Sequence, residues 1–328
     1  MYGTILIPLD SSPFSERALP VATALARTTG GKLVLVRAAS ASVLPGAHSA
    51  DLQGRQIQKE DLFISADAGG AGRTAAQIRA VEEAKRYLEG IAGRLAEQGF
   101  QAKVAVPYAA AAEGILTEID VQAADLVVMC THGQSGLGRW IYGSVAEEVL
   151  AHSPVPVLLV RPTGTPVVLS PEPGGSQLLV PLDGSTFAEA ALPHATTLAR
   201  AFGGSILLVY VVVPPYVPYT EMPAAPAGAA EVANMIVEEA LEKAERYLAD
   251  VSERLRRDGL PVQTTVCKGS PADTILRQAL VVDARLIVMA THGRTGLRRL
   301  LLGSVAHEVV HRALLPVLLV RPADPAKA

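Results

Sequence analysis

A chain of 328 residues with a net charge of −3 and 19% charged residues has no strong basic field, so nucleic acid is not an expected partner. Its 49% hydrophobic content suffices for sizeable cores. Two cysteines, Cys130 and Cys267, without C-x-x-C spacing argue against a disulfide framework or a zinc site and read as buried thiols. The opening residues lack the basic, apolar and small-residue pattern of a secretion signal. The most apolar run, Ile206 to Val213, ends at Pro214-Pro215, well short of the roughly 20 residues that cross a bilayer. A cytoplasmic protein without membrane contact is expected.

In chain order, the first half offers apolar runs at Thr4 to Leu9, Leu33 to Arg37, Ala102 to Val106, Leu126 to Met129 and Val155 to Val160. They are short and continuous rather than alternating, as strands covered on both faces of a parallel sheet should be. Helical patterns lie between them, Leu19 to Thr28 stopping at Gly30-Gly31 and Glu82 to Glu97 stopping at Gly99. The second half has the same rhythm, with stops at Gly203-Gly204 and Gly259. Each half alternates strand and helix through five strands, so the expected class is doubly wound α/β.

The halves are duplicates. Thr131 to Pro162 aligns without gaps to Thr291 to Pro322, with roughly 19 of 32 positions identical. Ile5 to Asp10 matches Leu178 to Asp183 at a spacing about 13 residues longer, while Tyr87-Leu88 and Tyr247-Leu248 already keep the shorter one. The extra residues therefore fall between Ala38 and about Ala80, a turn-rich stretch that reads as a long surface loop. The expected organisation is a first domain over 1–162 with an insertion at about 39–80, a Pro/Gly-rich linker over 163–176, a second domain over 177–322 and a tail over 323–328.

Ligands of open parallel sheets bind at the carboxyl ends of strands, near the point where strand order reverses. The positions to inspect are Asp10 and Asp183 after the first strands, Ala38 and Val211 at the ends of the second, Thr131-His132-Gly133 and Thr291-His292-Gly293 after the fourth, and Gly143-Ser144 and Gly303-Ser304 opening the last helices. The loop from Gly133 to Ser144 also holds Gly136 and Gly138, so its backbone N–H groups can converge on an anion, helped by the helix N-terminus that follows. Arg294, Arg298 and Arg299 in the second copy suit a small polyphosphate. Ser144 to Glu147 also reads as a capping box, although His307 replaces the glutamate in the second half while Gly303 and Ser304 remain. Asp10 and Asp183 read either as helix caps or as carboxylates for an adenine or ribose group. His132 and His292 have no nucleophile or carboxylate partner in sequence and read as loop structure. No G-x-x-x-x-G-K-[ST] or G-x-S-x-G occurs, nor any complete G-x-G-x-x-G after the first strand.

These residues resemble the universal stress protein family in its tandem two-domain form. ATP-binding members carry G-x2-G-x9-G-[ST] after the fourth strand. The corresponding stretches here are Cys130-Thr-His-Gly133-x9-Gly143-Ser144 and Ala290-Thr-His-Gly293-x9-Gly303-Ser304, with the first glycine replaced in both. The resemblance implies Rossmann-like adenine-nucleotide-binding domains whose last strands, Val155 to Val160 and Leu315 to Val320, pair to form an internal pseudo-dimer, with a further homodimer left open. It places adenine contacts at Pro8, Asp10 and Ala38 and at Pro181, Asp183 and Val211. Phosphate and ribose contacts fall at Cys130, Gly133, Gly143, Ser144 and Val145 and at Ala290, Gly293, Arg294, Gly303, Ser304 and Val305. The second copy keeps Gly269-x-Pro271 after its third strand where the first has Ala109 and Ala111, so the second site looks better preserved. The implied ligand is ATP, or ADP or AMP, with Mg2+ arriving on the phosphates, and the implied role is a nucleotide-responsive stress or signalling regulator with an unidentified protein partner and little hydrolysis. The alternatives are a nucleotide-free interaction module of the same fold and an ATP-using enzyme, a slow ATPase, with His132 or His292 as base and the arginines around Arg294 stabilising charge.

Overall fold

The structure is a computed structural model, and it describes residues 2–39, 75–131, 143–161, 175–215, 229–292 and 302–322. In the first half, strands β1 (Thr4–Pro8), β2 (Lys32–Val36), β3 (Ala102–Ala105), β4 (Leu126–Cys130) and β5 (Val157–Val160) alternate with helices α1 (Ala18–Thr29), α2 (Ala75–Glu97), α3 (Ala111–Val121) and α4 (Ser144–His152). The second half repeats the plan with β6 (Gln177–Leu182), a short α5 (Thr186–Glu189), α6 (Leu192–Ala201), β7 (Ser205–Val212), α7 (Ala229–Arg257), β8 (Val262–Lys268), α8 (Pro271–Val281), β9 (Leu286–Ala290), α9 (Ser304–Arg312) and β10 (Val317–Val320).

The ten strands form one sheet in the order β3-β2-β1-β4-β5-β10-β9-β6-β7-β8. Pairing is parallel within each half. At the centre β5 and β10 pair antiparallel, with Leu158 opposite Leu318. The expected pseudo-dimer is therefore a continuous sheet in which each half covers the other's edge strand, leaving no central row of unpaired N–H and C=O groups.

Continuous apolar strands follow from cover on both faces. Ile5, Ile7, Leu33 and Leu35 pack under α1 and α2, in a core that also takes in Leu158, Val160, Leu178, Val180 and Phe202. Leu6, Val34, Val36, Val127 and Met129 point the other way, into a core with residues of α3, α4, α8 and α9. Both cores run through both halves. Tyr2, fully buried, meets His194 Nδ1 of α6 at 2.8 Å across the boundary.

Boundaries depart from expectation at identifiable places. The last strands begin at Val157 and Val317 because Pro156 and Pro316 have no N–H for a ladder; their carbonyls accept from Val127 and Ile287 instead. Residues 75–80, expected to close the inserted loop, form the first turns of α2. Residues 40–74 of that insertion lie outside the described residues, as do 163–174 of the linker. Gly30 caps α1 with φ 68°, a left-handed conformation that glycine adopts without steric cost. Among the described residues no helix is long and apolar enough to cross a membrane.

Candidate functional site

The strand order reverses between β1 and β4, and a crevice opens there. The two strands pair at Ile5–Leu126 and Leu6–Val127. Beyond that point, at their carboxyl ends, lies a cavity of about 370 Å³ lined by Pro8, Asp10, Ala38, Cys130, Thr131, Gly143, Ser144 and Val145. The candidates of the first half thus come together, apart from Gly133, which with His132 lies outside the described residues. In the second half Pro181 is in β6, Asp183 follows it, Ala290 ends β9, Gly303 caps α9, and Ser304 and Val305 open that helix. Val211 does not end its strand, since β7 continues to Val212 opposite Lys268 of β8. Gly293, Arg294, Arg298 and Arg299 lie outside the described residues.

Asp10 is not itself the cap of the following helical segment. Its Oδ1 accepts from the Ser12 backbone N–H at 2.9 Å and from the Ser12 hydroxyl at 2.6 Å, and Ser12 Oγ in turn accepts from the Ser15 N–H. The second half repeats this. Asp183 Oδ1 accepts from Ser185 N at 3.0 Å and Ser185 Oγ at 2.6 Å, while Ser185 caps α5 by accepting from Ala188 N. Each aspartate orients a serine hydroxyl that accepts from the backbone N–H three residues on, and in the first half this holds the Asp10 carboxylate at the cavity. Between Asp10 and Ser12, Ser11 has φ 67° where the second half has Gly184 at φ 83°. A non-glycine residue in this conformation is strained, and the strain sits beside the candidate carboxylate.

Ser144 reads in sequence as the start of a capping box, and the structure corrects that reading. The caps are Gly143 and Gly303, neither serine makes a side-chain capping bond, and each serine is the first residue inside its helix. A hydroxyl there sits beside N–H groups that have no carbonyl within the helix, at the positive end of the helix dipole. The preceding loop is closed at its base. Gly143 N–H donates to the Thr131 carbonyl at 3.0 Å, and Gly303 N–H to the Thr291 carbonyl at 2.8 Å. A Cβ on Gly303 would lie 3.3 Å from that carbonyl oxygen, so glycine permits the closure.

The two copies differ where the first glycine of the family pattern would stand. Cys130 is 6% exposed, its Sγ donates to the Phe14 carbonyl at 2.8 Å, and burial pushes its thiol up to about 12. Ala290 offers only a methyl group there. Gly269 has φ 139°, whereas Ala109 is not among the positive-φ residues, so the backbones diverge after β8 and β3. His292 lies against its neighbour, with Nδ1 3.1 Å from Thr291 Oγ1.

Two supporting sets escaped sequence reasoning. Glu16 accepts from Tyr87 Oη at 3.0 Å and from Arg94 Nη2 at 2.6 Å, and Glu189 accepts from Tyr247 and Arg254 at 3.0 and 2.8 Å. Burial, then the adjacent glutamate, holds each tyrosine hydroxyl above its ordinary range. These triads clamp the segment after each aspartate onto α2 or α7. Arg161, after β5, donates to the His311 carbonyl at the end of α9, and Arg321, after β10, donates to the Ala151 carbonyl at the end of α4. Each guanidinium thus meets the negative end of the other half's site helix. The signal was the repeat itself, since each of these residues has a counterpart in the other half.

Comparison with known proteins agrees with the duplication. The model of the universal stress protein family matches residues 1–161 and again 176–321. Universal stress protein MJ0531 of Methanocaldococcus jannaschii is 34% identical over 145 residues, 44% of this chain and 81% of that protein. Universal stress protein Rv2005c of Mycobacterium tuberculosis is 31% identical over 198 residues, covering 60% of this chain and 62% of its own length. In fold, a crystal structure of a universal stress protein from Archaeoglobus fulgidus matches 98% of this chain and 97% of its own with a TM-score of 0.62 at 20% identity. The chain belongs to the universal stress protein family and carries the family's domain twice in tandem.

Proposed function

We propose that the protein binds an adenine nucleotide, ATP or its ADP or AMP counterparts, and acts as a nucleotide-responsive regulator rather than a rapid hydrolase. The observation that carries this reading is the crevice at the strand-order reversal, where a carboxylate, a glycine-capped helix N-terminus and a serine hydroxyl border one cavity of about 370 Å³. That volume falls in the range of small-molecule sites, about 300–1,000 Å³. Asp10 and Asp183 supply acceptors for a ribose or base, and the helix N-termini at Ser144 and Ser304 supply N–H groups for phosphate. Among the described residues no group of three or more His, Cys, Asp or Glu side chains is placed to hold a metal, so Mg2+ would be held largely by phosphate oxygens. Binding at the second site is expected to be tighter, because Ala290 leaves room that the Cys130 side chain takes.

The test is to release small molecules from the purified protein with acid and identify them by mass spectrometry. ATP, ADP or AMP at near-stoichiometric amounts supports the reading. Absence of nucleotide together with no thermal shift on adding Mg·ATP would establish a nucleotide-free interaction module instead. Sustained turnover lost on His292→Ala would establish an ATPase.

A further inference from the structure

We propose that His307 and His311 form a two-nitrogen site for a late divalent transition-metal ion such as Zn2+ on α9. The residues stand one turn apart on the same helix face. Their rings converge, with centroids 4.2 Å apart, planes inclined by 52° and the two Nε2 atoms separated by 3.1 Å. A Zn–N bond is about 2.0–2.1 Å. Two nitrogens at that separation can therefore share one ion at an N–Zn–N angle of about 95–102°, between octahedral and tetrahedral geometry. The same geometry also accepts a shared N–H···N proton, which a metal ion would replace.

Imidazole donors favour Zn2+, Ni2+ and Cu2+ over Mg2+, which prefers oxygen. Among the described residues, the Arg312 charge beside the pair is balanced by Glu308 and Asp273, both at 2.6 Å, while the Arg161 guanidinium meets the backbone carbonyl of His311 itself. His307 is exposed and His311 half-buried, so water can fill the remaining coordination positions. The pair belongs to the second half alone. At the matching places α4 has Glu147 and Ala151, so one such site per chain is expected, in contrast to the duplicated crevices. An ion there would staple consecutive turns of the helix that begins at Ser304.

The test is calorimetric titration of the full, tag-free and nucleotide-free chain with ZnCl2, repeated on His307→Gln, His311→Gln and His152→Gln. The expected result is one equivalent of Zn2+, retained in the presence of excess Mg2+ and in the His152 variant, with affinity at least tenfold lower in each of the other two. Zn2+ should also raise the melting temperature of the parent chain but not of those two variants, whose folding circular dichroism checks. No Zn2+ binding, or binding that neither His307→Gln nor His311→Gln weakens, would overturn the proposal.

Discussion

Ser144 and Ser304 stand one position inside their helices, and that single-residue register separates two roles that look alike in sequence. A capping serine replaced by alanine costs about 0.5–2 kcal/mol, whereas an exposed first-turn serine without a capping bond should cost within about 0.5 kcal/mol. Ser144→Ala and Ser304→Ala are therefore expected to leave the urea midpoint nearly unchanged while weakening nucleotide binding by calorimetry; a fall in stability with binding intact would restore the capping role. At Cys130 the chemistry is one of pH. Its thiol, buried against Phe14, keeps its proton from the ordinary value of 9.0 up to about 12. The folded state then binds more protons than the unfolded one across that window, so its stability contribution is whole below pH 9 and is lost as pH rises. The buried hydroxyl of Tyr2 and the half-buried hydroxyls of Tyr87 and Tyr247, held above their ordinary range, push in the same direction. Stability to urea should fall as pH rises from about 9 to 10.5, and Cys130→Ala should remove about 1–2 kcal/mol of that decline. A slope equal to the parent's would show that the thiol is not the cause.

At the scale of elements, strand and helix order was legible because covered parallel strands write continuous apolar runs and their helices end at glycine, as at Gly30, Gly99, Gly203 and Gly259. The crevice was legible for the same reason, since its residues follow strand ends. The clamps behind it were not. Glu16 finds Tyr87 and Arg94 at sequence separations of 71 and 78, and Arg161 finds His311 at 150, so no local pattern joins them. The start of α2 was missed because Ala75 to Val81 carries too little apolar periodicity to separate helix from loop. The arginine clasps tie α4 and α9, which open at the two sites, to the opposite half. Arg161→Gln should destabilise by about 1 kcal/mol, since it removes a charged donor from a helix C-terminus. Arg321→Gln, at an exposed residue, should cost less. Urea denaturation of the two variants checks the order, and equal or reversed losses would mean the clasps contribute nothing beyond surface charge.

For the whole molecule, the decisive feature is the identity of the strands that join its halves. Val157 to Val160 and Val317 to Val320 have the same four residues, V-L-L-V, and they cross antiparallel about the Leu158–Leu318 pair. An antiparallel contact between equivalent residues is isologous, so a second copy of β5 can replace β10 without changing any partner in the ladder. Residues 1–161 expressed alone would otherwise present β5 as an exposed apolar edge and open both cores along the boundary. That half should therefore run as a homodimer in light scattering coupled to size exclusion. Leu158 is about 1% exposed in the intact sheet, and Leu158→Ala would lose its packing twice in such a dimer, about 2–5 kcal/mol per copy. The variant half should dissociate at concentrations where the parent half stays paired, while the full chain, with its partner strand covalently attached, should remain folded. A monomeric, stably folded first half would show instead that β5 tolerates exposure, and that the two halves are joined by linkage rather than by the need to cover an edge.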